Sequence, residues 1–278
     1  MSPVSVGIGL RDPYVEPLLA LKDRGALDVL EVMIDDARLD PRRLDRWRAL
    51  SKRWPLVAHG TGLGPGDACG VDPAYVSAVS ADLRAIGAHW YSEHLCFLRT
   101  TRADGTREDL GHFAPMVLDD EDVSVLAKNV GLVRSSYSGV FLLENAADIL
   151  ALHGEGDAAA VASGKRFARV LVECNVGALL DLTNLALQAR NDRFDPMRFL
   201  EFVPWERVIE VHLAGGRRAG DLWIDSHDHA VDDESWRLLA IAAERARNLR
   251  AVIIERDENL PPLDALLAEV ARARRALR

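Results

Sequence analysis

The residues able to do chemistry in this chain share one placement: each ends or closely follows a short apolar run. His59 ends Leu56-Val57-Ala58-His59, His94 follows Tyr91-Ser92-Glu93, and Glu144 ends Phe141-Leu142-Leu143-Glu144. Glu255 ends Val252-Ile253-Ile254-Glu255, and His212 sits in Val208-Ile209-Glu210-Val211-His212-Leu213. Asp181 and Asn184 share Leu180-Asp181-Leu182-Thr183-Asn184, while Asp225 and His227 come from Asp225-Ser226-His227-Asp228-His229. Carboxylates gathered in a confined space lose hydration and repel one another, so they must protonate or find cations. Imidazoles among them favour a transition metal over magnesium or calcium, which prefer shells made wholly of oxygen. The donors exceed what one ion needs. The inventory suits two or three ions, with a carboxylate such as Glu144 able to bridge.

The elements that must position these donors follow from hydrophobic patterning. Strands are predicted over Ser5–Leu10, Asp28–Met33, Leu56–His59, Trp90–Leu95, Val140–Glu144, Ala178–Leu182, Val208–Leu213 and Ala251–Glu255. Each is mostly apolar on both faces, as expected of parallel strands covered on both sides. Between them, Pro41–Trp54, Pro73–Gly87, Asp119–Tyr137, Asp232–Leu249 and Pro262–Leu277 carry apolar residues at helical spacing. Asp-Pro at 40–41, 72–73 and 195–196 suits a cap followed by proline at the first helical position. Eight such units predict a (β/α)8 TIM-type barrel, with a doubly wound sheet as the rival. Residues 1–278 read as one domain, in which 97–118 and 217–231 are elaborated loops. In a closed barrel the donors converge on the mouth at the strands' C-terminal ends.

Other residues carry less. His89 precedes its strand and belongs at the opposite end, and His112 and His153 are not expected to be ligands. His229 either replaces His227 or supports it. Glu31 can point into the barrel but brings no clear ligand set, and Glu93 and Glu210 face the helices or bond behind the ligands. Cys69, Cys96 and Cys174 form no C-x-x-C pair, which excludes a disulfide scaffold or a zinc knuckle. The cysteines and the tryptophans are read as packing residues. Gly7-Ile8-Gly9 lacks the third glycine of a dinucleotide fingerprint, and no P-loop, nucleophile elbow or H-E-x-x-H occurs. A formal charge of −9 argues against non-specific nucleic-acid binding. No apolar run is long enough to span a bilayer and the N-terminus lacks a signal-peptide pattern, so a cytoplasmic protein is expected.

The ordered set of motifs resembles a known family. Gly7-Ile8-Gly9-Leu10-Arg11, His59-Gly60, Ser92-Glu93-His94-Leu95, Leu143-Glu144-Asn145 and Asp181-Leu182-Thr183-Asn184 follow its pattern, as do His212-Leu213-Ala214-Gly215, Asp225-Ser226-His227 and Ile254-Glu255-Arg256-Asp257. The chain is similar to the multinuclear non-haem iron-dependent oxidases, also called domain-of-unknown-function family 692. The resemblance implies a xylose isomerase-like TIM barrel holding two or three iron ions of mixed Fe(II)/Fe(III) valence. It also implies modification of a ribosomally made precursor peptide with dioxygen, at Cys or at Asp or another residue. By motif, one iron would take Glu144, Asp181, His212 and Glu255, a second His59 and His94 with bridging Glu144, and a third Asn184, Asp225 and His227. A separate peptide-recognition protein is the implied partner. Arg11, Arg217 and Arg218 lie in mouth loops and could meet an acidic peptide or a carboxylate.

Three places depart from the family pattern: Glu31-Val32-Met33-Ile34-Asp35-Asp36 lacks a Glu-Asn, Leu182-Thr183 replaces Val-Asn, and Arg256 stands where Trp is common. None removes a donor. The competing expectation is a redox-inert metallohydrolase or sugar isomerase on a xylose isomerase- or endonuclease IV-like barrel, and a third is a non-catalytic binding barrel.

Overall fold

The computed structural model describes residues 4–145 and 154–278, and its centre is a closed parallel barrel. The strands, in chain order, are β1 (Ser5–Gly9), β2 (Val29–Met33), β3 (Leu56–Gly60), β4 (Trp90–His94), β5 (Phe97–Thr101), β6 (Arg107–Ala114), β7 (Val140–Glu144), β8 (Gly177–Asp181), β9 (Val208–Leu213), β10 (Arg217–Ala219), β11 (Leu222–Ile224) and β12 (Ala251–Ile254). The barrel runs β1-β2-β3-β4-β7-β8-β9-β12 and closes back on β1. All eight predicted strands are therefore present, with ends shifted by a residue or so. The doubly wound alternative is excluded by closure.

Side-chain alternation divides the apolar residues into two cores. Val6, Ile8, Leu30, Val32, Leu56, Ala58 and their counterparts pack outward against the helices. Val29, Val57, Trp90, Leu142, Leu179, Ala251 and Ile253 form a separate cluster that plugs the barrel. Fully burying each of its Leu and Ile side chains contributes about 1.5–3 kcal/mol. Gly7 belongs to this tight packing: an added Cβ there would lie 1.9 Å from the Val29 carbonyl oxygen. The glycine is required by the approach of β1 to β2, not by a phosphate.

Helix caps follow the sequence at two of the three Asp-Pro pairs. Asp72 accepts from Ala74 N at 2.8 Å to open the helix Pro73–Ile86, and Asp195 accepts from Met197 N at 2.9 Å to open Pro196–Leu200. Asp40 likewise accepts from Arg42 N, at 3.1 Å, while closing the short turn Asp36–Leu39, but Pro41 stands at the cap of the helix Arg42–Ser51 and not at its first position.

The two segments read as loops carry antiparallel hairpins, β5–β6 and β10–β11. The first turns through Asp104-Gly105, with Gly105 at φ 86°. That pair is a hairpin signal, but its strands are too polar to register as apolar runs.

Candidate metal centre

Strand register sets the donors side by side: His94 is level with Glu144, Asp181 with His212, and Met33 with His59. His59 Nε2 lies 3.4 Å and His94 Nε2 3.5 Å from the same oxygen, Glu144 Oε2, and the two rings are 4.7 Å apart. Ser92 Oγ donates to Ala58 O at 3.3 Å, so it accepts from His59 Nδ1 at 2.9 Å and leaves the Nε2 lone pair toward Glu144. Asp181 Oδ1 accepts from Asn184 N at 2.7 Å and caps the helix Leu182–Asp192, which swings Asn184 Nδ2 to 3.4 Å from Glu144 Oε1. Asn145 clamps Asp181 from both sides of its peptide, each bond 2.9 Å.

On the other side of the mouth, His212 Nδ1 lies 2.9 Å from Glu255 Oε2, and His227 Nδ1 lies 3.8 Å from that oxygen. His227 Nδ1 is also 3.0 Å from Asp257 Oδ2, and its Nε2 is 2.7 Å from Asp225 Oδ1. The backbone bends into the left-handed region at His227 (φ 47°) to turn the ring inward. Such a conformation is costly for a non-glycine residue and recurs where a site imposes it.

The donor atoms fall into overlapping groups, His59–His94–Glu144, Glu144–Asp181–His212 and Asp181–His227–Glu255, with all atoms of a group within 4.8 Å of one another. Glu144 joins the first two groups and Asp181 the last two. Asn184 stands with Glu144, and Asp225 with His227. The motif-based division has the same His59–His94–Glu144 group, and its pair His212 and Glu255 stand 2.9 Å apart; it differs in putting Asn184 with His227, where the structure sets Asn184 beside Glu144.

Burial and mutual charge set the protonation of the cluster. Glu144 Oε2, Asp181 Oδ2 and Asn184 Oδ1 are buried with no hydrogen-bond partner. Burial, with Asp181 and Glu255 nearby, pushes the Glu144 carboxyl well above the usual range. Burial and Asp225 push Asp181 up to about 7. Burial also holds His59 well below its usual value and His94 down to about 4, so both rings are neutral donors. Burial opposes the His212 imidazolium, yet Glu255 and Glu31 outweigh it and raise its pKa. His212 and His227 in turn overcome burial at Glu255 and hold it ionised. Protons stand where cations would satisfy the same lone pairs, and the mixed imidazole, carboxylate and amide set fits transition-metal ions.

A cleft of about 420 Å³ opens above the cluster. Phe113, near the end of β6, stacks on His94 with centroids 4.1 Å apart and walls one side. Its hairpin is rooted by fully buried Asp67, which accepts from Leu98 N (2.7 Å), Arg99 N (2.9 Å) and Arg99 Nη1 (3.1 Å). Arg11 lines the cleft while donating from Nε to Asp257 at 2.8 Å. Arg217 and Arg218 do not line it. They lie exposed on the β10–β11 hairpin, Arg217 beside Asp228 at 3.5 Å and Arg218 bonded to Gly220 O at 2.9 Å. His229 pairs with Asp228 at 2.6 Å and is turned from the cleft, so His227 is the inward member of the two. His112 reaches the rim, its Nδ1 lying 2.9 Å from Leu110 O. His153 lies outside the described residues.

Of the departures, only Met33 changes the cleft wall. Leu182 and Thr183 are buried, Thr183 bonding Ala214 at both its oxygen and nitrogen, and Arg256 turns away to Glu269 at 2.9 Å. Sequence reasoning left Glu31 and Glu210 unresolved and passed over Ser92, Asn145, Phe113 and Asp257. Parity separates the glutamates. Glu210 is two residues from His212 and shares its inward face, whereas Glu93 adjoins His94 and faces outward to accept from Tyr91 Oη at 2.5 Å.

The architecture recurs in solved proteins of low sequence identity. A xylose isomerase domain protein from Planctomyces limnophilus superposes with a TM-score of 0.62 at 14% identity, covering 99% of this chain and 98% of that one. Endonuclease IV from Thermus thermophilus gives 0.58 at 18% identity, covering 97% and 98%. Among sequence relatives, a UPF0276 protein of Caulobacter vibrioides is 34% identical over 272 residues, 96% of this chain and 93% of the relative. A UPF0276 protein of Pseudomonas aeruginosa is 34% identical over 271 residues, 96% and 90% of the two chains. The family profile described as RiPP precursor modification enzyme MbnB/TglH/ChrH matches residues 5–278. With the profile spanning the barrel from β1 to the last helix, the chain belongs to the MbnB/TglH/ChrH family of RiPP precursor modification enzymes.

Proposed function

We propose that this protein is a one-domain, cytoplasmic oxidase that binds two or three iron ions and uses dioxygen to modify a ribosomally made precursor peptide. The target residue is Cys, or alternatively Asp or another side chain, and the peptide arrives with a separate recognition protein. The observation that carries this reading is the set of buried, unpartnered lone pairs on Glu144, Asp181 and Asn184 amid four inward imidazoles. His59, His94, Glu144, Asp181, Asn184, His212, Asp225, His227 and Glu255 would hold the ions. Iron bound there supplies the one-electron chemistry and dioxygen activation that side chains lack.

The chain's own residues do the rest. Asp181 releases the proton it holds when a cation enters, and His59 presents Nε2 because Ser92 takes its other nitrogen. Phe113 covers His94 and narrows the water path, and Arg11, fixed by Asp257, offers a cationic contact at the rim. A peptide side chain entering this cleft meets a preassembled site, so little of its binding is spent on reorganisation.

The test is anaerobic ferrous loading, then oxygen and a short Cys- or Asp-containing peptide encoded beside this gene. The expected result is a mass change in the peptide, abolished in Glu144→Ala. Full iron occupancy with no mass change, or turnover with zinc alone, overturns the reading.

A further inference from the structure

Directly beneath the donor cluster lie two glutamates for which the proposed chemistry has no use. Glu31 on β2 and Glu210 on β9 are both fully buried inside the barrel, and each has one oxygen, Oε1, with no hydrogen-bond partner. Glu31 Oε2 lies 3.0 Å from His212 Nε2, and Glu210 Oε2 accepts from the Trp90 indole at 2.8 Å. The nearest donor atoms of Glu31, Glu210 and His212 all fall within 4.8 Å of one another.

A neutral His212 that offers Nδ1 to a cation carries its hydrogen on Nε2, and Glu31 Oε2 stands 3.0 Å from that nitrogen to accept it. The other nitrogen, Nδ1, then faces Glu255 and the mouth. We infer that Glu31 is the positioning residue for His212: it fixes the ring plane and the Nε2–H tautomer so that Nδ1 is the nitrogen offered to a cation. Glu210, anchored on Trp90, backs Glu31 from below. Trp90 belongs to the apolar plug, with Val29, Leu142, Leu179, Ala251 and Ile253, so the anchor is as rigid as the barrel floor. A carboxylate behind a metal-binding imidazole orients the ring and raises its basicity, and losing it costs about 10–100-fold in metal affinity. An ion held between Glu31 and Glu210 is the competing use of these oxygens. It would claim Nε2 and leave the plug, which offers no further oxygen donors, as the rest of its shell.

This inference rests on the metal-centre reading, and the test separates the two. Metal-free protein is dialysed anaerobically against graded ferrous iron, and bound iron is measured for wild type, Glu31→Ala, Glu31→Gln and Glu210→Gln. Wild type binding no iron refutes the metal centre itself. With wild type binding, the expected result is one iron equivalent weakened about 10–100-fold in Glu31→Ala. The isosteric Glu31→Gln, whose amide oxygen still accepts from Nε2–H, gives a smaller loss of at least about threefold in the same equivalent. Glu210→Gln falls between Glu31→Gln and wild type. Cobalt(II) bound to the same variants reads the ligand field, and its visible spectrum shifts in Glu31→Ala. Unchanged affinity for every equivalent in Glu31→Gln, or equal loss of all equivalents, overturns the inference. If Glu31→Ala does not fold, Glu31→Gln decides alone. Loss of an entire equivalent in both Glu31→Gln and Glu210→Gln, with the His212 site intact, would mean an ion between the glutamates and also overturns it.

Discussion

Asp181→Asn should stabilise the metal-free protein at neutral and alkaline pH while damaging metal binding. Burial and Asp225 hold the Asp181 carboxyl up to about 7, against an ordinary 3.8. The folded state therefore keeps a proton that the unfolded chain releases, and stability falls as pH rises from about 4 through about 7. At about 1.4 kcal/mol per pH unit, the loss reaches up to about 4 kcal/mol above pH 7. Asparagine removes the titration without removing the cap. Its amide oxygen can still accept from Asn184 N, as Asp181 Oδ1 does at 2.7 Å, and asparagine caps helices as well as aspartate.

The assay is thermal unfolding of chelator-treated wild type and variant at pH 8 and pH 4.5. For a chain of this size each kcal/mol moves the midpoint about 2 °C, so the variant should melt up to about 8 °C above wild type at pH 8. Near pH 4.5 the gap should shrink to about 2 °C, because wild type is then protonated in the fold and only partly ionised when unfolded. Adding ferrous iron should reverse the order at pH 8, since only wild type recovers its missing cation. A variant that melts no higher than wild type at pH 8, or a gap independent of pH, refutes the account of Asp181.

Loading the metal-free protein in weak buffer at pH 6.5 should release about one proton per ion or more, measurable by pH-stat, because ligands must deprotonate to bind. Silent loading would mean that the carboxyls were already ionised. Gly7→Ala should cost about 3 kcal/mol or more, since its Cβ would fall 1.9 Å from the Val29 carbonyl in strands that cannot part, and circular dichroism melts would report it. Asp67→Ala should destabilise by about 3 kcal/mol through three orphaned donors, with amide exchange accelerating first in β5 and β6. Phe113→Ala, by contrast, should leave the melt within about 1 kcal/mol, because the ring is 40% exposed, yet raise the peptide KM more than it lowers kcat.

The barrel was legible because each of its strands is short, apolar on both faces and closed by a polar residue, as in Leu56–Gly60 and Val140–Glu144. The donors were legible for the same reason: His59 and Glu144 interrupt an apolar pattern where a buried charge costs most. Which donors stand together was not legible in the spacing, and only the resemblance grouped His59 and His94 with Glu144. Glu144 meets His94 only through the register of β4 with β7, and Glu255 reaches His227 across a loop that must turn through a positive φ. The hairpins hid because β6, reading Arg107-Glu108-Asp109-Leu110, is a mostly exposed strand whose alternation serves solvent as much as core. The place of two of the loop arginines was hidden for a related reason. Arg217 and Arg218 find carbonyl and carboxylate partners within their own loop and rim, which spacing along the chain does not reveal.

The acidic balance of the chain also changes meaning once its placement is known. A formal charge of −9 reads as a surface property, but Glu31, Glu144, Asp181, Glu210 and Glu255 are all inside the barrel. Facing them are the imidazoliums of His212 and His227 and the guanidinium of Arg11, too few positive charges to balance five ionised carboxylates. The protein therefore keeps some carboxyls protonated, as at Asp181 and Glu144, where entering cations would displace the protons. Holding like charges together is tolerable only because the apolar plug below and the helix-covered core outside supply the folding free energy independently of the mouth. The same separation fixes the geometry before any ion arrives. A site whose walls are set by packing cannot relax its carboxylates apart, and the strain of their proximity becomes affinity for multivalent cations.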